Sequence, residues 1–163
     1  METIVISFGT AIIVAVLTSW LSYARSSKEK LWDLRREAYG TILSAWATAE
    51  RICDSADEFI GERGEIEYFE STYSKSHDAE IGKQMTIANK RFSDDYLILS
   101  DEFIAIYEHF ESEAYADNPN DMPPDEHDRF ASAIRKNRPL LLGCARAEMT
   151  VKGWRGRPAK FWK

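Results

Sequence analysis

Three histidines stand beside carboxylates, the pairing that metal sites and acid–base catalysis both use. His77 neighbours Asp78 and Glu80, His109 lies between Glu108 and Glu111, and His127 sits among Asp125, Glu126 and Asp128. A di-metal site on facing helices needs Glu-x-x-His on two of them. The positions three before the histidines hold Ser74, Ile106 and Pro124 instead. Cys-x-x-Cys, His-Glu-x-x-His, G-x-S-x-G and the phosphate-binding P-loop are all missing from the sequence. GERG, Gly61 to Gly64, is too short and too acidic in context to cradle a phosphate. Cys53 has Arg51 two residues back, off its face of a helix, so no cation supports a thiolate there. These residues argue against an enzyme, and neither a metal nor a cofactor is expected.

The other chemically distinctive stretch is WRGRPAKFWK, Trp154 to Lys163, which combines four cations with three aromatics. It closes a chain whose net charge is −6. Residues 1–53 carry six cations and five anions, residues 54–128 five cations and 21 anions, and residues 129–163 ten cations and one anion. Such blocks read as separate acidic and basic surfaces. Aromatics interleaved with Arg and Lys suit either nucleic acid or the headgroups of an anionic membrane. Arg129, Arg135, Lys136 and Arg138 add to the basic end. The acidic middle repels a polyanion, which argues against nucleic acid as the partner.

The elements that must position these residues begin with TIVISFGTAIIVAVLTSWLSYA, Thr3 to Ala24, which contains no charge. As a helix its 22 residues cover about 33 Å, enough for a hydrocarbon core of about 30 Å. A secretory signal peptide would begin with cations, and here only Glu2 precedes the run. The expectation is therefore a transmembrane anchor over residues 1–25. Arg25, Lys28, Lys30, Arg35 and Arg36 follow the span and no Lys or Arg precedes it, so the positive-inside rule puts the N-terminus out and the remainder in the cytoplasm. Trp20, Tyr23 and Arg25 then lie at the inner interface. Ser7, Ala11, Ala15 and Ser19 recur every four residues, a stripe of small side chains on which two such helices can pack, as a homo-oligomer or against a partner. The two cysteines, Cys53 and Cys144, read as buried reduced thiols, in keeping with a cytoplasmic domain.

From Ser27 the spacing is helical. Leu31, Leu34, Ala38, Ile42, Ala45, Ala49, Ile52, Ala56 and Phe59 form one apolar stripe, widened by Trp32, Tyr39, Leu43 and Trp46. LWDLRREAYG, Leu31 to Gly40, resembles the juxtamembrane W-D-x-R-R-E-A-Y helix of small bacterial single-span membrane proteins of no assigned activity, and LLLGCARAEM, Leu140 to Met149, resembles their last helix. The resemblance implies a bacterial inner-membrane location and helical character, and it implies no activity.

Gly61 and Gly64 end the first long helix, and the serines between Ser71 and Ser76 weaken any helix across them. A second helix is expected from Asp78 to about Leu99. A third follows Ser100 as N-cap through Phe103, Tyr107, Phe110 and Ala114. DNPNDMPP, Asp117 to Pro124, breaks the chain, and a fourth helix from Asp125 to Thr150 should kink or split at Pro139. No stretch alternates with period two. The expected fold is all-α: one transmembrane helix and, over residues 26–150, a cytosolic antiparallel bundle of about four helices, with residues 151–163 as a basic, aromatic tail. Short connections make the last helix return toward the bilayer. Trp154, Arg155, Arg157, Lys160, Phe161, Trp162 and Lys163 are then expected at the anionic inner leaflet. Tyr68, Phe69 and Tyr73 with the surrounding acids form a candidate docking face for a basic protein. The functional expectation is a membrane-anchored binding or scaffold protein, or the small subunit of an inner-membrane assembly. The alternative is a membrane-active effector, toxin-like, whose span oligomerises.

Overall fold

The structure is a computed structural model that describes the backbone of residues 2–116 and 122–150, and side chains from residue 15 onward within those ranges. Every regular element in them is helical: α1 (Glu2–Arg63), α2 (Glu65–Glu70), α3 (Thr72–Asp95), a short 3-10 turn (Tyr96–Ile98), α4 (Asp101–Ala114) and α5 (Pro123–Met149). The bundle thus has five helices where about four were expected, the addition being the single-turn α2.

α1 runs for 62 residues, about 93 Å at 1.5 Å per residue. Its apolar stripe divides in two. Ala38, Ile42, Ala45, Ala49 and Ala56 are buried, together with Tyr39, Trp46 and Cys53, and they make one wall of the core. N-terminal to Arg35 the helix projects beyond the bundle. Val16, Leu17, Trp20, Leu21 and Tyr23 are each more than half exposed. Among the described residues no helix is long and apolar enough to cross a membrane. The described part of the uncharged segment, residues 15–24, is ten residues long and covers about 15 Å. The side chains of Thr3 to Val14 lie outside the described residues.

Gly64 ends α1 with φ +94°, a backbone open to glycine and strained for other residues. Of the serines that follow, Ser71 interrupts the helix, with an extended backbone, as expected, whereas Ser74 and Ser76 lie within the next helix. The side chain of Ser71 accepts a hydrogen bond from the Ser74 N–H at 3.1 Å, so α3 starts at Thr72, six residues ahead of Asp78. A serine weakens a helix interior but caps an N-terminus, and this cluster sits at one. Ser100 caps α4 as its spacing predicts, accepting from the Phe103 N–H at 3.2 Å. α5 opens with Pro123 in its first turn, where a missing N–H costs nothing, and Asp125 reaches back to the Met122 N–H at 2.9 Å.

Pro139 does not split α5; a split was one of the two outcomes expected of it. It cannot donate to the Arg135 carbonyl, yet the helix runs unbroken from Pro123 to Met149. The residues around it are held from two sides. Arg135 pairs with Asp54 at 2.7 Å and with Asp57 at 2.5 Å, Arg138 with Glu50, and Lys136 with Glu113. Beyond the proline, Leu141 and Cys144 are buried. These tethers to α1 and α4 offset the lost hydrogen bond.

α1, α3, α4 and α5 enclose a core rich in aromatic side chains. Tyr39 stacks on Phe103 at 4.3 Å, Phe92 on Tyr107 at 4.0 Å, and Trp46 meets Phe110 at 4.2 Å. The chain direction reverses at each long helix, so α5 returns to the end of the bundle from which the α1 arm projects.

Candidate functional site

The two ends of the bundle differ. At the end where the arm enters, five side chains from α1, the N-cap of α4 and α5 converge. The Tyr39 hydroxyl donates to Glu148 Oε2 at 2.7 Å and accepts from the Ser100 N–H at 3.3 Å. Arg35 Nη1 stands 3.9 Å from the same carboxylate oxygen, and Arg35 Nε donates to the Ile98 carbonyl. The Cys144 thiol lies 3.6 Å from Glu148 Oε1 and 3.8 Å from Ser100 Oγ. Burial pushes the Tyr39 phenol well above its ordinary value, and the Glu148 carboxylate adds to the shift. The Cys144 thiol is pushed up to about 11, first by burial. The cluster favours the neutral forms of both groups. It joins the base of the arm, the N-terminus of α4 and the last turn of α5 into one rigid node.

Sequence reasoning missed this node. Its one available signal was Glu148, the only acidic residue after Asp128, set in an otherwise basic segment.

The opposite end carries the aromatic and histidine residues. Tyr68 on α2 is 1% exposed, so it is a core residue rather than part of a docking face. Its hydroxyl lies 3.2 Å from His77 Nδ1, and its ring sits 6.1 Å from both the His77 and the His127 rings. Tyr73 is 40% exposed, stacks on Phe59 and touches the His77 ring at 4.0 Å. Phe69 is half-buried. The acids around α2, Glu65, Glu67 and Glu70, are exposed, as is Ile66.

Each histidine has a structural partner. His127, with little of its ring exposed, is 3.3 Å from Asp57, and His109 is 3.3 Å from Glu113. Burial lowers the affinity of His77 for a proton. Among the described residues no three His, Cys, Asp or Glu side chains group to hold a metal ion. Cys53 is fully buried, and burial pushes its thiol up to about 12. A shallow groove of about 490 Å³ between α1 and α3, lined by Glu37, Thr41, Ser44, Gln84 and Ile87 among others, brings together no catalytic pair.

Among the described residues, the acidic and basic blocks of the sequence meet one another rather than standing wholly apart. The cations of α5 face the acids of α1 and α4: Arg135 meets Asp54 and Asp57, Arg138 meets Glu50, and Lys136 meets Glu113. Arg129 donates to the Ala114 carbonyl at 3.4 Å. These four residues are therefore committed within the bundle.

Of the residues expected at the membrane, Ala15, Ser19, Trp20, Tyr23 and Arg25 are exposed on the arm, and Arg25 pairs with Glu29 at 2.9 Å. The side chains of Ser7 and Ala11, and all of Trp154, Arg155, Arg157, Lys160, Phe161, Trp162 and Lys163, lie outside the described residues. The chain around the turn between α3 and α4, at this end of the bundle, carries Asp94, Asp95, Asp101 and Glu102. Asp95 pairs with Arg91, which also reaches Glu37 at 3.4 Å, and Arg35 meets the turn through the Ile98 carbonyl. No protein family matches the chain, and no curated protein or solved structure is similar to it.

Proposed function

We propose that the chain is a bilayer-anchored binding protein of the bacterial inner membrane, its helical bundle held in the cytoplasm on a projecting arm. The observation that carries this reading is the arm itself. Val16, Leu17, Trp20, Leu21 and Tyr23 are exposed on several faces of one helix and continue an uncharged run that begins at Thr3. A helix apolar all round is stable in lipid and costly in water. Arg25, Lys28, Lys30, Arg35 and Arg36 follow the run, which supports a cytoplasmic bundle.

The spacing also accommodates the acidic turn. Arg35, level with Ile98, follows Ala24 by 11 residues, about 16 Å of helix. That is about twice the Debye length at physiological salt, so Asp94, Asp101 and Glu102 stand clear of anionic lipid. The tail starts at this same end, after Thr150. Thirteen extended residues span at most about 45 Å, so Arg155, Arg157, Lys160, Phe161, Trp162 and Lys163 can reach the leaflet. Ser7, Ala11, Ala15 and Ser19 give the span a seam for a second copy or a partner helix.

The site chemistry supports a binding role. The thiols are held protonated, the histidines serve Tyr68, Asp57 and Glu113, and the exposed acids of α2 offer a docking face for a basic protein. Two experiments test the reading. Protease added to spheroplasts should leave the bundle intact and digest it only after lysis; digestion from outside contradicts the orientation. Crosslinked purification from membranes should recover a partner that Glu65→Lys, Glu67→Lys and Glu70→Lys together release. Equal recovery removes that face from the account.

A further inference from the structure

The bundle closes over Ala38 but stops short of the two preceding residues of the same core stripe. Leu31 and Leu34 are 39% and 46% exposed, while Ala38, Ile42 and Ala45 are buried. Leucines at core spacing, beside the end of a helix that continues into undescribed chain, call for a cover that the described residues do not supply.

The pairing of α5 with α1 says which segment lies nearest. Arg135 meets Asp54, Arg138 meets Glu50, and Glu148 meets Tyr39 and Arg35. Advancing along α5 moves back along α1 by nearly equal steps. Continued in this direction, the chain beyond Thr150 would run along α1 from about Glu37 toward Leu31. α5 stops at Met149, and Thr150 has an extended backbone, φ −75° and ψ 145°. Four extended residues beyond Thr150, which is about level with Glu37, reach about 13 Å, against about 9 Å of helix between Glu37 and Leu31. Both chain length and direction allow Trp154 to meet these leucines.

We infer that the start of the C-terminal tail docks back on the arm, with Trp154 and Val151 covering Leu31 and Leu34. Trp154 is then a strut on α1 rather than a headgroup anchor, and Phe161, Trp162 and the last lysines are left to engage lipid. The clasp extends the Tyr39–Glu148 node toward the bilayer and stiffens the arm where it is a lone helix. It does not depend on the membrane reading, since it is made within one chain.

Limited trypsinolysis of the full-length protein in a non-ionic detergent tests it, with cleavage after Lys152 and Arg155 followed by mass spectrometry. Leu31→Ser with Leu34→Ser, and separately Trp154→Ala, should each speed cleavage at these sites by about tenfold over the natural chain, because release of the clasp is local. Both leucines are exposed, so the bundle should keep its helicity, checked by circular dichroism. Equal rates in all three proteins overturn the inference. So does protection that appears only on vesicles containing phosphatidylglycerol and is the same in the Leu31→Ser, Leu34→Ser protein, which assigns the tail's start to lipid. Protection that rises with protein concentration assigns the cover to a second copy and overturns it equally. As an independent check, Leu34→Cys with Trp154→Cys in one chain should form an intramolecular disulfide on mild oxidation. A crosslink found only between chains counts against the inference.

Discussion

Replacing Tyr39 by Phe isolates the node that ties the arm to the last helix. The substitution keeps the ring and its 4.3 Å stack on Phe103, so the apolar contribution is unchanged. It removes the 2.7 Å hydrogen bond to Glu148 and the acceptor for the Ser100 N–H. A hydrogen bond to a charged partner contributes about 1.5–3 kcal/mol. Glu148 keeps Arg35 only at 3.9 Å, so little compensation is at hand. The expected loss is about 2 kcal/mol, or a fall in Tm of roughly 4–8 °C for a chain of this size. Urea unfolding followed by far-ultraviolet circular dichroism measures it, provided the slope with denaturant is unchanged. Glu148→Ala strands the same hydroxyl, so the double variant should cost less than the two single ones together by about 1–2 kcal/mol. A Tyr39→Phe protein within about 0.5 kcal/mol of the natural one, or strictly additive losses, would refute the claim that the node holds α1, α4 and α5 together.

Two further outcomes follow from local geometry. Gly64→Ala should destabilise the bundle by about 1–3 kcal/mol. An added Cβ there meets nothing within 4 Å, so the loss comes from φ +94° alone, and an unchanged denaturation midpoint would contradict it. Stability should also fall with acid through His77. Burial holds its folded pKa below 6.5, so the unfolded chain takes up the proton first. The contribution is full above the unfolded value and is lost as pH falls through it toward the folded one. His77→Gln should flatten the dependence of Tm on pH between about pH 7 and pH 5, and an unaltered profile would remove His77 as its source.

The helices were legible because their signals are local. The spacing from Ala38 to Phe59, the Ser100 cap and the proline-rich break before α5 each fix a boundary from neighbouring residues. The errors came where tertiary contact decides. Ser74 and Ser76 read as helix-weakening residues until Ser71 is seen to cap the helix that holds them. Pro139 reads as a split until Arg135, Lys136 and Arg138 are found anchored to acids more than 20 residues away. The same long-range pairing joins the described part of the basic block to the acidic one, which a linear reading of charge does not reveal. Tyr68 was misplaced for a related reason: a tyrosine among glutamates looks solvated in a linear reading, and α2 folds it onto Phe59 and His77. The node of Arg35, Tyr39, Ser100 and Glu148 joins three distant segments, and no spacing rule announces it.

The anchoring of the arm bears most directly on the whole account. Membranes from cells expressing the full chain, and separately residues 26–163, should be washed in alkaline carbonate and centrifuged. The full chain is predicted to stay in the pellet and to leave it only with detergent, while the shortened chain is released. Recovery of the full chain in the carbonate supernatant would contradict the claim that the uncharged run from Thr3 to Ala24 is held by lipid.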